Sequence, residues 1–256
     1  MSFTGKVVIV TGASSGIGAA TAVLFAGEGA RVALVARNET KLSNVAQQCA
    51  AHGAQPLIIK ADIANEEEAK NIVKKTVDKF GKLDILINNA GIMRFASVFD
   101  PNYLQIYDDT MKTNLRSVVQ LTNLAAPHLT ATKGNIVNVS SVAAFCVLAE
   151  NIMSYAVSKA GLDHFTRCVA LELAASGVRV NSVNPGPVTT EIITNSGLVP
   201  VGADGETWNE LGARAALGKV GSPDEIAYII LFLASDKAKS VTGSMFLCDN
   251  GFMLKN

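Results

Sequence analysis

The sequence lacks long hydrophobic runs and an excess of either charge. In 256 residues, Lys and Arg together number 22, as do Asp and Glu, so the net charge is zero. Nucleic acids and anionic membranes attract clustered basic residues, so this balance argues against both as partners. No apolar run approaches the ~20 residues of a membrane-spanning helix. The start, MSFTGKVVIVTG, lacks the charged and apolar regions of a signal peptide.

Cysteine and histidine are scarce and scattered. The four cysteines, Cys49, Cys146, Cys168 and Cys248, have no metal-ligand spacing, and neither do the three histidines. We therefore expect reduced thiols, a cytoplasmic location and no metal site.

Short β-branched runs alternate with helical stretches along nearly the whole chain. The predicted strands are 6–11, 31–36, 56–61, 84–88, 134–140, 178–184 and 244–248. The predicted helices are 16–27, 39–51, 65–80, 103–129, 154–175 and 223–234. This alternation predicts an α/β fold, a single doubly wound Rossmann-type domain over 1–256. Its seven-stranded parallel sheet carries helices on both faces. One long irregular stretch, about 189–218, is predicted to be a substrate-binding loop.

The first strand is followed by a glycine-rich turn, T-G-A-S-S-G-I-G. Glycine permits a tight turn and a close approach of backbone to ligand, and a helix N-terminus attracts a pyrophosphate. Glycines that serve only the turn are the alternative. Its position between a strand and a helix favours dinucleotide binding. The candidate residues are Gly12, Ser14, Ser15, Gly16, Ile17 and Gly18.

The end of the second strand bears on which dinucleotide binds. An acid there would bind the ribose 2′-hydroxyl, but the strand ends in Ala36 and Arg37. Arg37 can pair with a 2′-phosphate, or it can be a solvated arginine at a helix start. We favour NADP(H), with NAD(H) as the alternative. Asp62, with Ile63 beside it, can accept a bond from the adenine amino group. By itself Asp62 is better explained as the N-cap of the next helix.

Tyr155 and Lys159 stand four residues apart in Y-A-V-S-K, so a helix places them on one face. They are either a solvated surface pair or a phenol beside an ammonium that favours its ionised form. A phenol titrates near 10, so a proton transfer role at neutral pH needs a shift of about 3 units.

The chain resembles the short-chain dehydrogenase/reductase family, in its shorter soluble branch. The family's motifs occur in order over essentially the whole chain, which makes the combination far more specific than any one motif. They are T-G-A-S-S-G-I-G, Asp62, N-N-A-G (88–91), Asn114, S-S (140–141), Y-A-V-S-K (155–159) and N-P-G (184–186).

The resemblance implies an enzyme and a role for each motif. Tyr155 is the proton donor, and Ser141, with Ser140 as the alternative, holds the substrate carbonyl. Lys159 binds the nicotinamide ribose and lowers the pKa of the tyrosine. Asn114 anchors a water through a local backbone disturbance. Tyr155 and Lys159 also contact the cofactor, together with Asn89, Ala90, Gly91, Pro185, Gly186 and Val188.

Substrate contacts are expected from Met93, Phe145 and Val147, with Ser141 and Tyr155. These mostly apolar residues favour a ketone or secondary alcohol on a steroid-like, isoprenoid or aromatic body. The alternatives are an NAD-dependent secondary-alcohol dehydrogenase and a 3-oxoacyl reductase. A non-catalytic dinucleotide-sensing regulator is a further alternative, against which the retained Tyr and Lys argue. The resemblance also implies a homotetramer, through the helices that bear Asn114 and Tyr155 and through the C-terminal edge.

Overall fold

Seven parallel strands form one sheet in the computed structural model, which describes residues 2–53, 55–196 and 205–255. Residues 1, 54 and 256 of the predicted domain, and 197–204 of the predicted loop, lie outside the described residues. The strands are β1 (Val7–Thr11), β2 (Arg31–Ala36), β3 (Leu57–Lys60), β4 (Ile85–Asn88), β5 (Asn135–Val139), β6 (Arg179–Pro185) and β7 (Met245–Cys248). Their order is β3-β2-β1-β4-β5-β6-β7, and every pairing is parallel. The predicted fold class is confirmed.

Helices connect the strands and cover both faces of the sheet. They are α1 (Gly16–Gly27), α2 (Glu39–Ala50), α3 (Glu66–Phe80), α4 (Tyr103–Met111), α5 (Ser117–Thr132), α6 (Met153–Leu173), α7 (Glu191–Asn195), α8 (Gly205–Ala213) and α9 (Pro223–Ala234). Within the part of the chain described, none of these helices is long and apolar enough to cross a bilayer.

Alternate residues of the central strand supply the two halves of the core. In β1, Val8 and Val10 belong to the cluster that contains Phe25 of α1 and Ile230 of α9. Val7 and Ile9 point the other way, into the cluster formed with α3 and α5. Because successive side chains of a strand point to opposite faces, a continuous apolar run requires a sheet covered on both sides.

The strand order places the entrance to a crevice between β1 and β4. The chain moves outward in one direction from β1 to β3 and in the other from β4 to β7. Connections after β1 and β4 therefore leave the sheet on opposite faces, and a crevice opens at their carboxyl ends.

Two predicted elements differ from the structure. The single helix predicted over 103–129 is α4 and α5, joined by a π-helical segment, Lys112–Arg116. The stretch 189–218 was predicted to be irregular, but its described part contains α7 and α8. Both helices are too short to show clear helical periodicity, and glycine at Gly205 and Gly212 lowers the helix propensity of α8.

Candidate active site

A cavity of about 620 Å³ lies at the carboxyl ends of the strands. Most of the predicted site residues line it. They are Gly12, Ser14, Ser15, Gly16, Ile17, Arg37, Asp62, Ile63, Asn89, Ala90, Gly91, Met93, Ser141, Tyr155, Lys159, Pro185, Gly186 and Val188. Gly18, Asn114, Phe145 and Val147 do not line it.

The glycine turn is shaped by close backbone contacts. Gly12 has a positive φ of 65°, and a Cβ at this position would lie 2.7 Å from Asn89 Nδ2. Asn89 Nδ2 donates to the Thr11 carbonyl at 2.9 Å, which ties the turn to the end of β4. A Cβ on Gly18 would collide with the Gly12 carbonyl, so Gly18 allows α1 to pack against the turn. Gly18 thus shapes the turn from behind, and its predicted place in the cofactor-binding motif stays a prediction.

The first turn of α1 lines the cavity at Gly16 and Ile17. Ser15 is the N-cap residue of α1, yet its side chain makes no capping hydrogen bond. The free N–H groups and the positive end of the helix dipole make this turn suited to a phosphate.

The ends of β2 and β3 form a polar corner. Arg37 Nη1 lies 3.8 Å from Asp62 Oδ2, and both side chains line the cavity. The explanation of Asp62 as a helix N-cap is wrong, because Asn65 caps α3 by accepting from the N–H groups of Glu67 and Glu68. Asp62 instead accepts from Ala64 N at 2.9 Å, which leaves its second carboxylate oxygen toward Arg37.

A second cation, which the sequence analysis missed, lies at this corner. Lys41 lines the cavity, and its Nζ lies 2.6 Å from Glu191 Oε1 of α7. The available signal was its place four residues after Arg37, in the first turn of the predicted helix; Arg37 itself precedes the N-cap residue Asn38 and is not helical. Glu191, distant in sequence, carried no comparable signal.

Tyr155 and Lys159 are buried on the side of α6 that faces the cavity. Tyr155 is 8% exposed and Lys159 is 3% exposed, so the pair is not the solvated surface pair of the alternative interpretation. Lys159 Nζ lies 5.6 Å from the centre of the Tyr155 ring and donates to the Val139 carbonyl at 2.8 Å.

The serine beside Tyr155 is Ser141. Its side chain is hydrogen-bonded to the Tyr155 phenol. Ser140 takes the opposite direction, with its Oγ donating to the Lys159 carbonyl at 3.3 Å. Ser141 and Ser140 diverge because successive residues of an extended chain point to opposite sides.

Burial controls the protonation of both α6 side chains. It raises the pKa of Tyr155, against the Ser141 hydrogen bond, which favours the phenolate. It lowers the pKa of Lys159 to about 8, against the attraction of Asp163. The protein's own groups therefore do not produce the lowered tyrosine pKa that the sequence analysis expected.

Asn114 lies behind the cavity wall, in the π-helical segment. Its Oδ1 accepts from Ile92 N at 2.8 Å, and its Nδ2 donates to the Ile92 carbonyl at 2.9 Å and to Ser158 Oγ at 3.0 Å. These bonds hold the chain that follows β4 against α6, at Ser158, the residue before Lys159. The backbone disturbance expected at Asn114 is present.

The substrate end of the cavity differs from the prediction in two residues. Phe145 is 45% exposed and Val147 is 89% exposed, and neither lines the cavity. The reason is a 3₁₀ turn, Val142–Ala144, that follows Ser141 and redirects the chain. The lining here consists largely of apolar residues and two arginines: Met93, Arg94, Phe95, Leu148, Ala149, Ile152, Ile192, Ile193, Leu211, Arg214 and Phe252.

Comparisons with known proteins agree with this architecture. The family model described as enoyl-(acyl carrier protein) reductase matches residues 12–253. The chain is 38% identical to the L-rhamnose 1-dehydrogenase (NAD(P)(+)) of a Sphingomonas species, covering 96% of each chain. It is 36% identical to the 3-oxoacyl-[acyl-carrier-protein] reductase of Thermotoga maritima, covering 99% of this chain and 100% of the relative. It is 33% identical to the cyclohexanol dehydrogenase of an Acinetobacter species, covering 99% and 97%.

Solved structures extend the likeness to three dimensions. A short-chain dehydrogenase/reductase of unknown function from Caenorhabditis elegans, solved with cofactor, superposes with a TM-score of 0.93. It is 38% identical, and the match covers 99% of this chain and 97% of that one. A short-chain dehydrogenase from Burkholderia cenocepacia in complex with NADP gives a TM-score of 0.90 at 32% identity, covering 99% and 100%. The chain belongs to the short-chain dehydrogenase/reductase family and is an oxidoreductase that uses NAD(P)(H).

Proposed function

We propose that this protein is an NADP(H)-dependent oxidoreductase that interconverts a ketone and a secondary alcohol on a hydrophobic substrate. One observation carries the proposal. The Ser141 hydroxyl, the Tyr155 phenol and the Lys159 ammonium lie together at the inner wall of a cavity whose other end is a phosphate-binding turn. This arrangement brings a proton donor and a carbonyl-binding hydroxyl next to a dinucleotide site.

The residues present fit a nicotinamide dinucleotide. Glycine keeps this turn compact, since a Cβ would lie 2.7 Å from Asn89 Nδ2 at Gly12 and 3.0 Å from Thr190 Cγ2 at Gly16. The uncapped N-terminus of α1 can receive the pyrophosphate. When bound, the reduced cofactor supplies a hydride to the substrate carbon. Pro185, Gly186 and Val188 would border its nicotinamide, and Asn89, Ala90 and Gly91 would lie along its middle.

In the reduction, the protein's side chains supply the proton and stabilise the charge on the carbonyl oxygen. Ser141 donates a hydrogen bond to the carbonyl oxygen and stabilises the charge that develops there. Tyr155 gives its phenolic proton to the same oxygen, which completes the alcohol. Burial opposes the phenolate left behind, and the charge of Lys159, with its Nζ 5.6 Å from the centre of the Tyr155 ring, favours it. Because the Asn114 side chain is held by Ile92 and Ser158, a resupplying water would bind its backbone carbonyl.

The polar corner supports NADP(H) over NAD(H). Arg37 and Lys41 both line the cavity where a 2′-phosphate would lie, and charge-assisted bonds from two cations favour a dianion. Asp62 also pairs with Arg37, which weakens the preference for NADP(H), so NAD(H) stays the alternative. The Burkholderia relative was solved with NADP.

The apolar lining supports a hydrophobic ketone as substrate, and the named relatives provide the competing classes. Cyclohexanol dehydrogenase acts on a cyclic secondary alcohol, in line with the apolar walls. A 3-oxoacyl substrate is the alternative that Arg94 and Arg214 favour, because both arginines line the outer part of the cavity.

The test is an assay of the purified protein against a substrate panel. NADPH or NADH oxidation is followed at 340 nm with cyclic and aromatic ketones, a 3-oxoacyl thioester and an enoyl thioester. We expect ketone reduction with NADPH, and a loss of at least 10²-fold in turnover for Tyr155→Phe with cofactor affinity mostly kept. Near-normal turnover of that variant, or reduction of the enoyl substrate alone, overturns the proposal.

We also propose a homotetramer built on α4–α6 and the C-terminal edge. Large apolar side chains are exposed there, among them Leu104 of α4, Val157 and Leu171 of α6, and Leu254. Their exposure is costly in a monomer and is removed by association. Sedimentation velocity should give a tetramer, and Val157→Lys should shift it to smaller species; a wild-type monomer at micromolar concentration refutes this.

A further inference from the structure

A buried carboxylate to which the proposed reaction gives no role lies one helical turn beyond Lys159. Asp163 is 5% exposed and belongs, like Lys159, to α6. It accepts from Asn184 Nδ2 at 2.7 Å and from Ser182 Oγ at 3.0 Å, and Ser140 lies beside it. Burial raises the pKa of this carboxyl, and the hydrogen bonds and the charge of Lys159 oppose that rise.

Two neighbours of Asp163 also contact the catalytic residues. Asn184 Nδ2 lies 3.2 Å from the Ser141 carbonyl, so one amide joins Asp163 to the backbone of the serine beside Tyr155. Ser140, the neighbour of Ser141, also donates to the Lys159 carbonyl. Asp163 therefore connects α6 with the ends of β5 and β6, the two strands that carry Ser141 and the N-P-G motif.

Lys159 and Asp163 are each other's charged partner. Attraction to Asp163 raises the pKa of Lys159, and attraction to Lys159 lowers the pKa of Asp163. The groups that face Asp163 from β5 and β6 are neutral, namely Ser140, Ser182 and Asn184. Tyr155, on the same helix, is the remaining titratable side chain near Lys159.

We propose that Asp163 is a positioning residue whose negative charge keeps Lys159 in its ammonium form and whose hydrogen bonds hold Ser141 beside Tyr155. This inference rests on the proposed function, in which the charge of Lys159 stabilises the Tyr155 phenolate. Asp163 touches neither substrate nor cofactor, but it sets the pH range in which Tyr155 and Lys159 work together. The attraction already opposes the burial that lowers the pKa of Lys159 to about 8.

The test measures the titration of Lys159 directly. Protein labelled with [ε-¹³C]lysine is titrated by NMR, and the Lys159 signal is assigned by its loss in Lys159→Met. In Asp163→Asn, which keeps the shape of the side chain, the pKa of Lys159 should fall by about one pH unit. Ser182→Ala removes one hydrogen bond but keeps the carboxylate, and it should leave that pKa nearly unchanged. The alkaline limb of kcat for ketone reduction should fall by the same amount in Asp163→Asn.

The NMR result does not depend on turnover, so it separates this inference from the proposed function. An unchanged Lys159 titration in folded Asp163→Asn overturns the inference, as does a shift that the kcat profile does not follow. A shifted titration in a protein that reduces no carbonyl supports the charge link and refutes the proposed reaction. If Asp163→Asn does not fold, the NMR titration of the wild-type protein tests the inference instead. Its Lys159 signal must show a second, acidic inflection as Asp163 takes up a proton, and its absence overturns the inference.

Discussion

Lys41 Nζ and Glu191 Oε1 lie 2.6 Å apart, and their ion pair joins the first turn of α2 to α7 across the mouth of the cavity. The residue before Glu191, Thr190, packs on the glycine turn, since a Cβ on Gly16 would lie 3.0 Å from its Cγ2. Both charged side chains are about half exposed, and such a pair contributes only about 0–1 kcal/mol. Glu191 can therefore be displaced from Lys41 by a phosphate at small cost.

Removing the charge of Glu191 should tighten NADPH binding. Glu191→Gln leaves Lys41 without its carboxylate partner, so the lysine is free for the 2′-phosphate. We expect the Kd for NADPH to fall about two- to fivefold while that for NADH is unchanged, measured by reduced-nicotinamide fluorescence. Glu39→Gln is the matched control, because Glu39 of α2 also pairs with a surface lysine, Lys60 of β3, and neither residue lines the cavity. Equal effects on both cofactors would show that Lys41 does not contact the 2′-phosphate.

Arg37 should carry most of the discrimination between the cofactors. Arg37→Gln removes the cation nearest Asp62 and leaves that carboxylate to repel a phosphate. We expect the Kd for NADPH to rise about tenfold, equivalent to about 1.4 kcal/mol, with little change for NADH. The control is Arg31→Gln, at the opposite end of the same strand. If wild-type protein binds NADH as tightly as NADPH, the role given to Arg37 is refuted.

The fold was predictable because each strand appears in the sequence as a short run rich in β-branched residues. A strand buried on both faces is mostly apolar, and β1 is buried at all of its residues, four of which are apolar. Local sequence also predicted the glycine turn at Gly12 and Gly16 and the shared helix face of Tyr155 and Lys159. A tight turn and a helix face are both local properties of the chain.

Other features depend on contacts that are distant in sequence. Lys41 with Glu191, and Asp163 with Asn184, pair residues from separate elements, and only the folded sheet brings them together. Phe145 and Val147 lie outside the cavity lining, because a three-residue 3₁₀ turn changes which side chains face the cavity. The pKa of Tyr155 moves opposite to the expected direction because the sequence pattern does not reveal how deeply the phenol is buried.

Gly12→Ala should abolish dinucleotide binding and destabilise the fold. An added Cβ meets Asn89 Nδ2 at 2.7 Å and Ala90 Cα at 2.9 Å, where neither neighbour can move without breaking the contact between β1 and β4. Gly81→Ala is the matched control, because Gly81 also has a positive φ but has nothing within 4 Å of an added Cβ. It should cost only the left-handed backbone strain of about 1–2 kcal/mol. Thermal unfolding and NADPH titration of both variants provide the comparison, and equal effects contradict the proposed close approach.

The burial of Lys159 should make the stability of the folded protein depend on pH in the alkaline range. Its pKa is about 8 in the folded protein, below the ordinary value of 10.5. Between these two values the unfolded chain holds more protons than the folded one, so the free energy of unfolding rises with pH. Relative to Lys159→Met, which has no such group, wild-type protein should gain about 1–2 kcal/mol between pH 7.5 and 9.5.

Chemical denaturation at a series of pH values measures this difference. Comparing the two proteins cancels the titration of the surface lysines, which both share. The absolute stability of Lys159→Met carries less information, because the variant also leaves the Asp163 carboxylate without its cation. The change in the stability difference with pH does not contain this constant loss, so long as Asp163 stays ionised throughout the range. A flat difference would mean that Lys159 keeps an ordinary pKa in the folded protein, and that the ammonium beside Tyr155 is hydrated despite its 3% exposure.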